Sequence, residues 1–312
     1  MEPYEYDGLI VITAPDLERV KELLPRMRAN LPIRKLIFIG SEAVGELVAS
    51  FKNDGYSFIN ENEIIKFSDV EAVIKRRLGI DTVPRGVTGW YYQQFLKMSY
   101  STICEDRYYL VWDGDTIPCK KFSMFNSKTH RPFLDVKNEY TEEYFITMKK
   151  LLPYSRKVIE KSFVSEHMIF DKEIMKKLIS TIELNDEIEG TYYYEKIINA
   201  IRLEKIDEPS FSEFETYGTY VAITDSSAYR LRDWHSMRFG RYAFIPDQMT
   251  DDDFRWLSQD FDAISFEKFE EYQPDIAELF HNLTYRKKLR PRHIVEALYE
   301  EGTISSNVME KW

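Results

Sequence analysis

Two carboxylates separated by one glycine, Asp113 and Asp115, follow the run Tyr108-Tyr109-Leu110-Val111-Trp112. Ionised side chains this close repel each other, and a divalent cation relieves the repulsion directly. Hard oxygen ligands favour Mg²⁺ or Mn²⁺, ions that usually also hold substrate phosphates. The same Asp-Gly pair is common in hairpin turns. The apolar run before it favours the metal reading. It predicts a strand buried on both faces, and open α/β sheets present their ligands just past the carboxyl ends of strands.

Other groups could serve a diphosphate bound at such a metal. The segment Gly89 to Met98 predicts a helix, preceded by Arg85, Gly86 and Gly89. A helix N-terminus with nearby glycines suits an anion, and Arg85 could pair with it in bidentate fashion. Gln94 and Lys97, three residues apart, project on one side of that helix. The alternative is a surface helix that leaves both solvated. Thr13, in the loop after the first predicted strand, is a further nucleotide-binding candidate. Arg232-Asp233-Trp234-His235-Ser236-Met237-Arg238-Phe239-Gly240-Arg241 gathers three arginines and a histidine. Arg238 could close over the diphosphate and His235 could add an imidazole to the metal. No second histidine has metal-site spacing, so zinc is not expected.

For proton transfer the candidates are Glu213 and Glu215, in Ser212-Glu213-Phe214-Glu215-Thr216-Tyr217-Gly218, and Glu166, next to His167. A carboxylate among aromatic rings has a raised pKa, which suits a general base. If the segment is extended, Glu213 and Glu215 share a face; if helical, they diverge. Each has a structural alternative, glutamates solvated at a helix start or a histidine hydrogen-bonded within the core.

The elements that must position these groups alternate. Leu9 to Ile12 reads as a strand and Asp16 as the cap of the helix after it. Lys35 to Gly40 and Ser57 to Glu61 repeat the strand, each followed by a helix. This order before Asp113 predicts a largely parallel sheet with helices on its faces. Beyond Asp115 a short edge strand is expected from Thr116, with Pro118 arguing against a central one. Short strands are expected at Phe133 to Asp135 and Tyr220 to Ile223, and a strand and helix over Ala263 to Phe269.

Composition narrows the partners. The 312 residues are 44% hydrophobic, ample for a large core, and carry a net charge of -11. That balance argues against general nucleic-acid binding, which draws most of its affinity from phosphate neutralisation. Two cysteines, Cys104 and Cys119, imply no disulfide framework. An acidic start without a basic n-region, and no long apolar stretch, lead to the expectation of a soluble cytoplasmic protein. The basic run Arg286 to Arg292 is the expected contact with anionic lipid at the inner face of a membrane.

In these motifs, Asp113-Gly114-Asp115, Ser162-Phe163-Val164-Ser165-Glu166-His167-Met168 and Ser212 to Gly218, the chain resembles bacterial GT-A-type glycosyltransferases, across about residues 8 to 290. The resemblance implies a single Rossmann-type α/β domain. Residues 1–120 would bind the nucleotide sugar, 121–290 the acceptor, and 291–312 would form a C-terminal tail. It implies sugar transfer from a nucleotide-diphosphate-sugar donor to a glycan or lipid-linked acceptor, in surface polysaccharide synthesis. Asp113 and Asp115 would hold Mn²⁺ or Mg²⁺, with His235 as the late histidine ligand. Three other readings use the same features. A haloacid-dehalogenase-type phosphatase needs a threonine two residues past the second aspartate, where Ile117 stands. A nucleotidyltransferase needs a glycine-rich basic signature where Thr13-Ala14-Pro15 stands. A non-enzymatic sugar-binding module leaves the acidic pair unexplained.

Overall fold

The computed structural model describes residues 3–51 and 55–304; the end of the expected tail, residues 305–312, lies outside the described residues. Among the described residues ten strands occur in chain order: Asp7–Val11 (β1), Leu36–Gly40 (β2), Tyr56–Asn60 (β3), Tyr108–Trp112 (β4), Thr116–Pro118 (β5), Phe133–Val136 (β6), His167–Asp171 (β7), Arg230–Asp233 (β8), Ser236–Met237 (β9) and Ala263–Ser265 (β10). The main sheet has the order β3-β2-β1-β4-β7. Its first four strands are parallel and β7 is antiparallel to β4. Helices flank it, so the expected α/β class with a mainly parallel sheet is the observed one.

The burial of each strand follows its place. β2 and β4 are buried along their whole length, as strands covered on both faces must be. β3, at the edge, is half-buried throughout. After β1 the chain winds outward through β2 and β3, then returns to the other side of β1 with β4. The strand order therefore reverses between β1 and β4, and such a switch point opens a crevice at the carboxyl ends of the two strands. The Asp113-Gly114-Asp115 turn leaves β4 at that crevice.

Several local expectations are corrected. The helix expected from Gly89 begins four residues earlier and spans Arg85–Ser99. Gly86 and Gly89 lie inside it, where each costs about 1 kcal/mol relative to alanine. Burial of Tyr91, Phe95, Leu96 and Met98 outweighs that cost. Thr13, not Asp16, caps the Ala14–Val20 helix, its hydroxyl accepting from the Asp16 amide. The expected strand Tyr220 to Ile223 is the last part of a helix, Glu213–Thr224, capped by Ser212. No helix follows β10 directly; the next begins at Pro274.

The smaller sheets carry the rest of the site. β10 pairs antiparallel with β5 and parallel with β9, while β6 pairs with β8. Thr116 faces Ser265 across β5 and β10, and their hydroxyls are 2.7 Å apart. The chain leaving Asp115 is thereby stitched to a segment from the far end of the sequence.

Candidate active site

The turn after β4 is pinned on two sides. The Asp113 amide donates to the Glu166 carbonyl (2.8 Å), and the Thr116 amide to the Asp113 carbonyl (3.1 Å). Gly114 sits against β1, where a Cβ would meet Ile12 Cδ1 at 2.6 Å and Ile10 Cγ2 at 2.9 Å. Glycine is needed here for close approach.

Asp113 and Asp115 have different surroundings. Asp113 Oδ1 accepts from the Lys97 ammonium at 2.9 Å, and the same ammonium lies 2.9 Å from Glu213 Oε1. Lys97 is 5% exposed. Burial disfavours its charge, but Asp113 and Glu213 more than offset that and hold its pKa above the usual lysine value. One turn earlier, Gln94 accepts from the Glu213 amide (3.1 Å) and donates to the Trp90 carbonyl (3.1 Å). Gln94 and Lys97 are thus buried together on Glu213, and the solvated alternative does not hold. Among the described residues no hydrogen bond or ion pair holds the Asp115 carboxylate. Burial, then Glu267 and Asp113, push its pKa up to about 8, against Arg19 and Arg238. Glu267 is brought there by the Phe266 amide, which donates to the Asp115 carbonyl (2.9 Å).

Beneath the turn lies a buried ionic network. The Glu166 carboxylate accepts from Lys137 Nζ, Ser236 Oγ and Trp234 Nε1, each at 2.8 Å. Arg238 Nε stands 3.7 Å away, and its other end bonds Glu267 at 2.7 Å. Burial alone would raise the Glu166 pKa; Lys137 and Arg238 instead hold it well below the carboxylate range. Beside this network His167, fully buried, bonds Asp135 at 2.7 Å. Its ring is enclosed by Trp112, Phe122 and Trp234 at centroid distances of 4.7, 5.9 and 4.3 Å. The structural reading of this histidine holds.

The Glu213–Thr224 helix sends its two glutamates apart. Glu213 turns to Lys97. Glu215 accepts from the Ser162 hydroxyl and from the Phe163 amide (3.0 Å), tying down the loop before β7. Burial raises the Glu215 pKa, and those two bonds oppose the shift.

Of the remaining candidates, Arg238 joins the cluster and three do not. Arg85 is exposed and stacks on the Phe67 ring, 4.6 Å from its centroid. Thr13 lies at the carboxyl end of β1, beside the crevice, with its hydroxyl donating to Asp16 (2.6 Å). His235 is exposed, its amide bonded to Asp262 (3.1 Å). Its neighbour Ser236 pairs with Ala263, which faces Pro118. His235 therefore stands at the end of this small sheet away from Asp115, on the order of 10 Å along the strands. Lys137, Arg19 and Glu267 also reach the site, and no local pattern announces them; single charged residues carry no periodic signal that marks them as buried or convergent.

The donor set fits Mg²⁺ or Mn²⁺ in one particular way. Two hard carboxylates are present, and that of Asp115 is unheld. Among the described residues no group of three or more metal-ligating side chains converges. Such ions are commonly bound by one or two carboxylates, with water and substrate phosphate completing the shell. The residues suit an ion that arrives with a diphosphate, not a closed protein cage.

A family model described as "Family of unknown function (DUF6492)" matches residues 39–304. No curated protein matches the chain. Among solved structures, it is similar to mouse xyloside xylosyltransferase 1 in its apo form at 12% identity and a TM-score of 0.44, over 85% of this chain and 98% of that one. It is similar to the galactosyltransferase LgtC in complex with donor and acceptor sugar analogues at 12% identity and a TM-score of 0.43, over 91% and 100%. For the bifunctional WbbM apo structure the figures are 11% and 0.42, over 94% of this chain and 52% of that one. At these identities and scores the likeness does not carry an activity to this chain.

Proposed function

The chain belongs to the DUF6492 family, and we propose that it is a metal-dependent glycosyltransferase, moving a sugar from a nucleotide-diphosphate-sugar donor to a glycan or lipid-linked acceptor in surface polysaccharide synthesis. One observation carries the reading: an Asp-Gly-Asp turn stands at the switch point between β1 and β4 with the Asp115 carboxylate unheld. Bound Mn²⁺ or Mg²⁺, held by Asp113 and Asp115, would supply Lewis-acid stabilisation of the leaving diphosphate. The chain adds fixed positive charge around that position. Lys97 bonds Asp113, and Arg238 and Arg19 act electrostatically on Asp115. Displacement at an anomeric carbon passes through an oxocarbenium-like state while negative charge grows on the leaving group. Cations fixed before the reaction stabilise that charge without reorganisation.

Among the described residues no helix is long and apolar enough to cross a membrane. We place the protein in the cytoplasm, with Lys287 and Lys288 as the membrane-facing part of the basic run. Arg286, Arg290 and Arg292 are already paired with Asp253, Asp260 and Glu296.

The test is thermal unfolding with UDP, GDP, CDP or ADP, with and without Mn²⁺. A ligand that binds only the folded state raises Tm by mass action. One diphosphate should raise Tm only with Mn²⁺ present, and Mn²⁺ alone should do little. If no combination shifts Tm, the reading falls.

A further inference from the structure

The register of the small sheet sets Arg238 beside the Asp115 turn. β9 runs parallel to β10 with Met237 opposite Ile264, and β5 runs antiparallel to β10 with Thr116 opposite Ser265. Arg238 and Thr116 therefore flank Ser265, two strand spacings or about 10 Å apart in the backbone. Phe266 continues both pairings: its amide donates to the Asp115 carbonyl (2.9 Å), and it bridges Phe239. Arg238 thus stands at the Asp115 end of this sheet, and its side chain is 30% exposed.

Both ends of that arginine are taken, in different ways. Nε lies 3.7 Å from Glu166 Oε1, and Nη2 donates to Glu267 Oε1 at 2.7 Å. Glu166 is buried and fixed by Lys137, Ser236 and Trp234, so it can only anchor the guanidinium. Among the described residues the Glu267 carboxylate has no other hydrogen bond or ion pair.

Glu267 also opens a loosely fastened stretch. From Glu267 to Gln273 only Glu270 is buried, and Phe269 and Tyr272 are exposed. The stretch is tied by polar contacts to the residues just after Arg238. The Arg241 amide donates to Glu270 (3.2 Å), Arg241 Nη1 to the Lys268 carbonyl (2.9 Å), and the Gln273 amide to the Tyr242 carbonyl (3.0 Å). A segment without buried apolar side chains opens at low cost.

A carboxylate on a guanidinium uses the same paired donors that a phosphate would. We propose that Glu267 is a latch on the donor site: it holds Arg238 in the empty protein, and the diphosphate of an incoming nucleotide sugar displaces it from the outer end of the guanidinium. This rests on the glycosyl-transfer reading above. Arg238 then has an anionic partner before and after the exchange, and no unpaired charge is left in a half-buried site. Part of the binding free energy goes into parting Arg238 from Glu267, so the latch weakens diphosphate binding and eases release of the nucleoside diphosphate product.

The experiment measures binding of UDP, GDP, CDP and ADP, each with Mn²⁺, by calorimetry. The proteins are the parent, E267Q, E267A, E271Q, R238M and R238M/E267Q. E267Q and E267A should tighten diphosphate binding on the order of tenfold. Glu271 is exposed on the same stretch and has no side-chain partner among the described residues. E271Q removes the same charge, and its affinity should stay within about twofold of the parent, since exposed charges are screened. With R238M as background, E267Q should add no tightening, because the contact it removes is already gone. A gain in neither E267Q nor E267A, an equal gain in E271Q, or a gain that persists without Arg238 overturns the proposal alone. No diphosphate binding with Mn²⁺ by any of these proteins overturns the glycosyl-transfer reading and this proposal with it.

Discussion

Asp113 and Glu213, from opposite halves of the chain, share one ammonium, that of Lys97, at 2.9 Å each. The sequence reading set Asp113 on the donor side and Glu213 on the acceptor side. Lys97 couples them, so a change at Glu213 is felt at the Asp113 turn. K97M should lower stability by about 3–5 kcal/mol, the usual consequence of stranding a buried charge. The double variant K97M/E213Q should recover part of that loss, a coupling that urea unfolding of all four proteins measures.

Asp115 is expected to trade stability for binding. D115N removes a charge that burial, Glu267 and Asp113 all disfavour. Its Tm at pH 7.5 should equal or exceed that of the parent, while the rise in Tm given by diphosphate with Mn²⁺ should vanish. A variant that keeps the full Mn²⁺-dependent shift would exclude Asp115 as a ligand.

The main sheet was legible because buried strands announce themselves as short apolar runs between polar loops. The Glu213–Thr224 helix was not. Residues 213–221 are buried without exception, so no amphipathic stripe appears, and Tyr220 to Ile223 alone resembles a strand. The Asp113 turn was readable because its strand and its carboxylates are adjacent in sequence. Lys137 and Glu267 join the site through tertiary pairings, Lys137 with Ser162 and Phe266 with Asp115, that no local pattern encodes.

Gly218 tests the packing that holds the Ser162 loop. A Cβ there would lie 2.2 Å from Phe163 Cγ and 2.6 Å from its Cβ. Those atoms sit at the root of a buried ring and have little room to move. G218A should therefore destabilise by about 1–3 kcal/mol despite alanine's better helix propensity. A stabilised G218A in urea unfolding would contradict this packing.

Glu270 predicts a pH dependence. Burial, with Glu267 adding, pushes its carboxyl up to about 8, against the Arg241 amide and guanidinium. The folded state then keeps the proton over a range in which the unfolded chain, with a pKa near 4.3, has released it. The resulting stability is fully present below that unfolded value and is lost as pH rises to about 8. The slope cannot exceed about 1.4 kcal/mol per pH unit for one proton. E270Q should flatten the fall in stability between pH 5 and about 8 in denaturant titrations; an unchanged slope would remove Glu270 as its source.

The ring of aromatics around His167 has an optical consequence. Trp112 is the residue before Asp113, and its indole meets that of Trp234 edge-on at 6.1 Å, both fully buried. Indoles so shielded emit to the blue of exposed ones such as Trp90, which is 39% exposed. Trp234 also donates to Glu166, whose carbonyl carries the Asp113 amide. A paramagnetic ion seated at the turn would quench this blue component selectively. If Mn²⁺ binds at the turn as proposed, these indoles report its titration without label or substrate turnover.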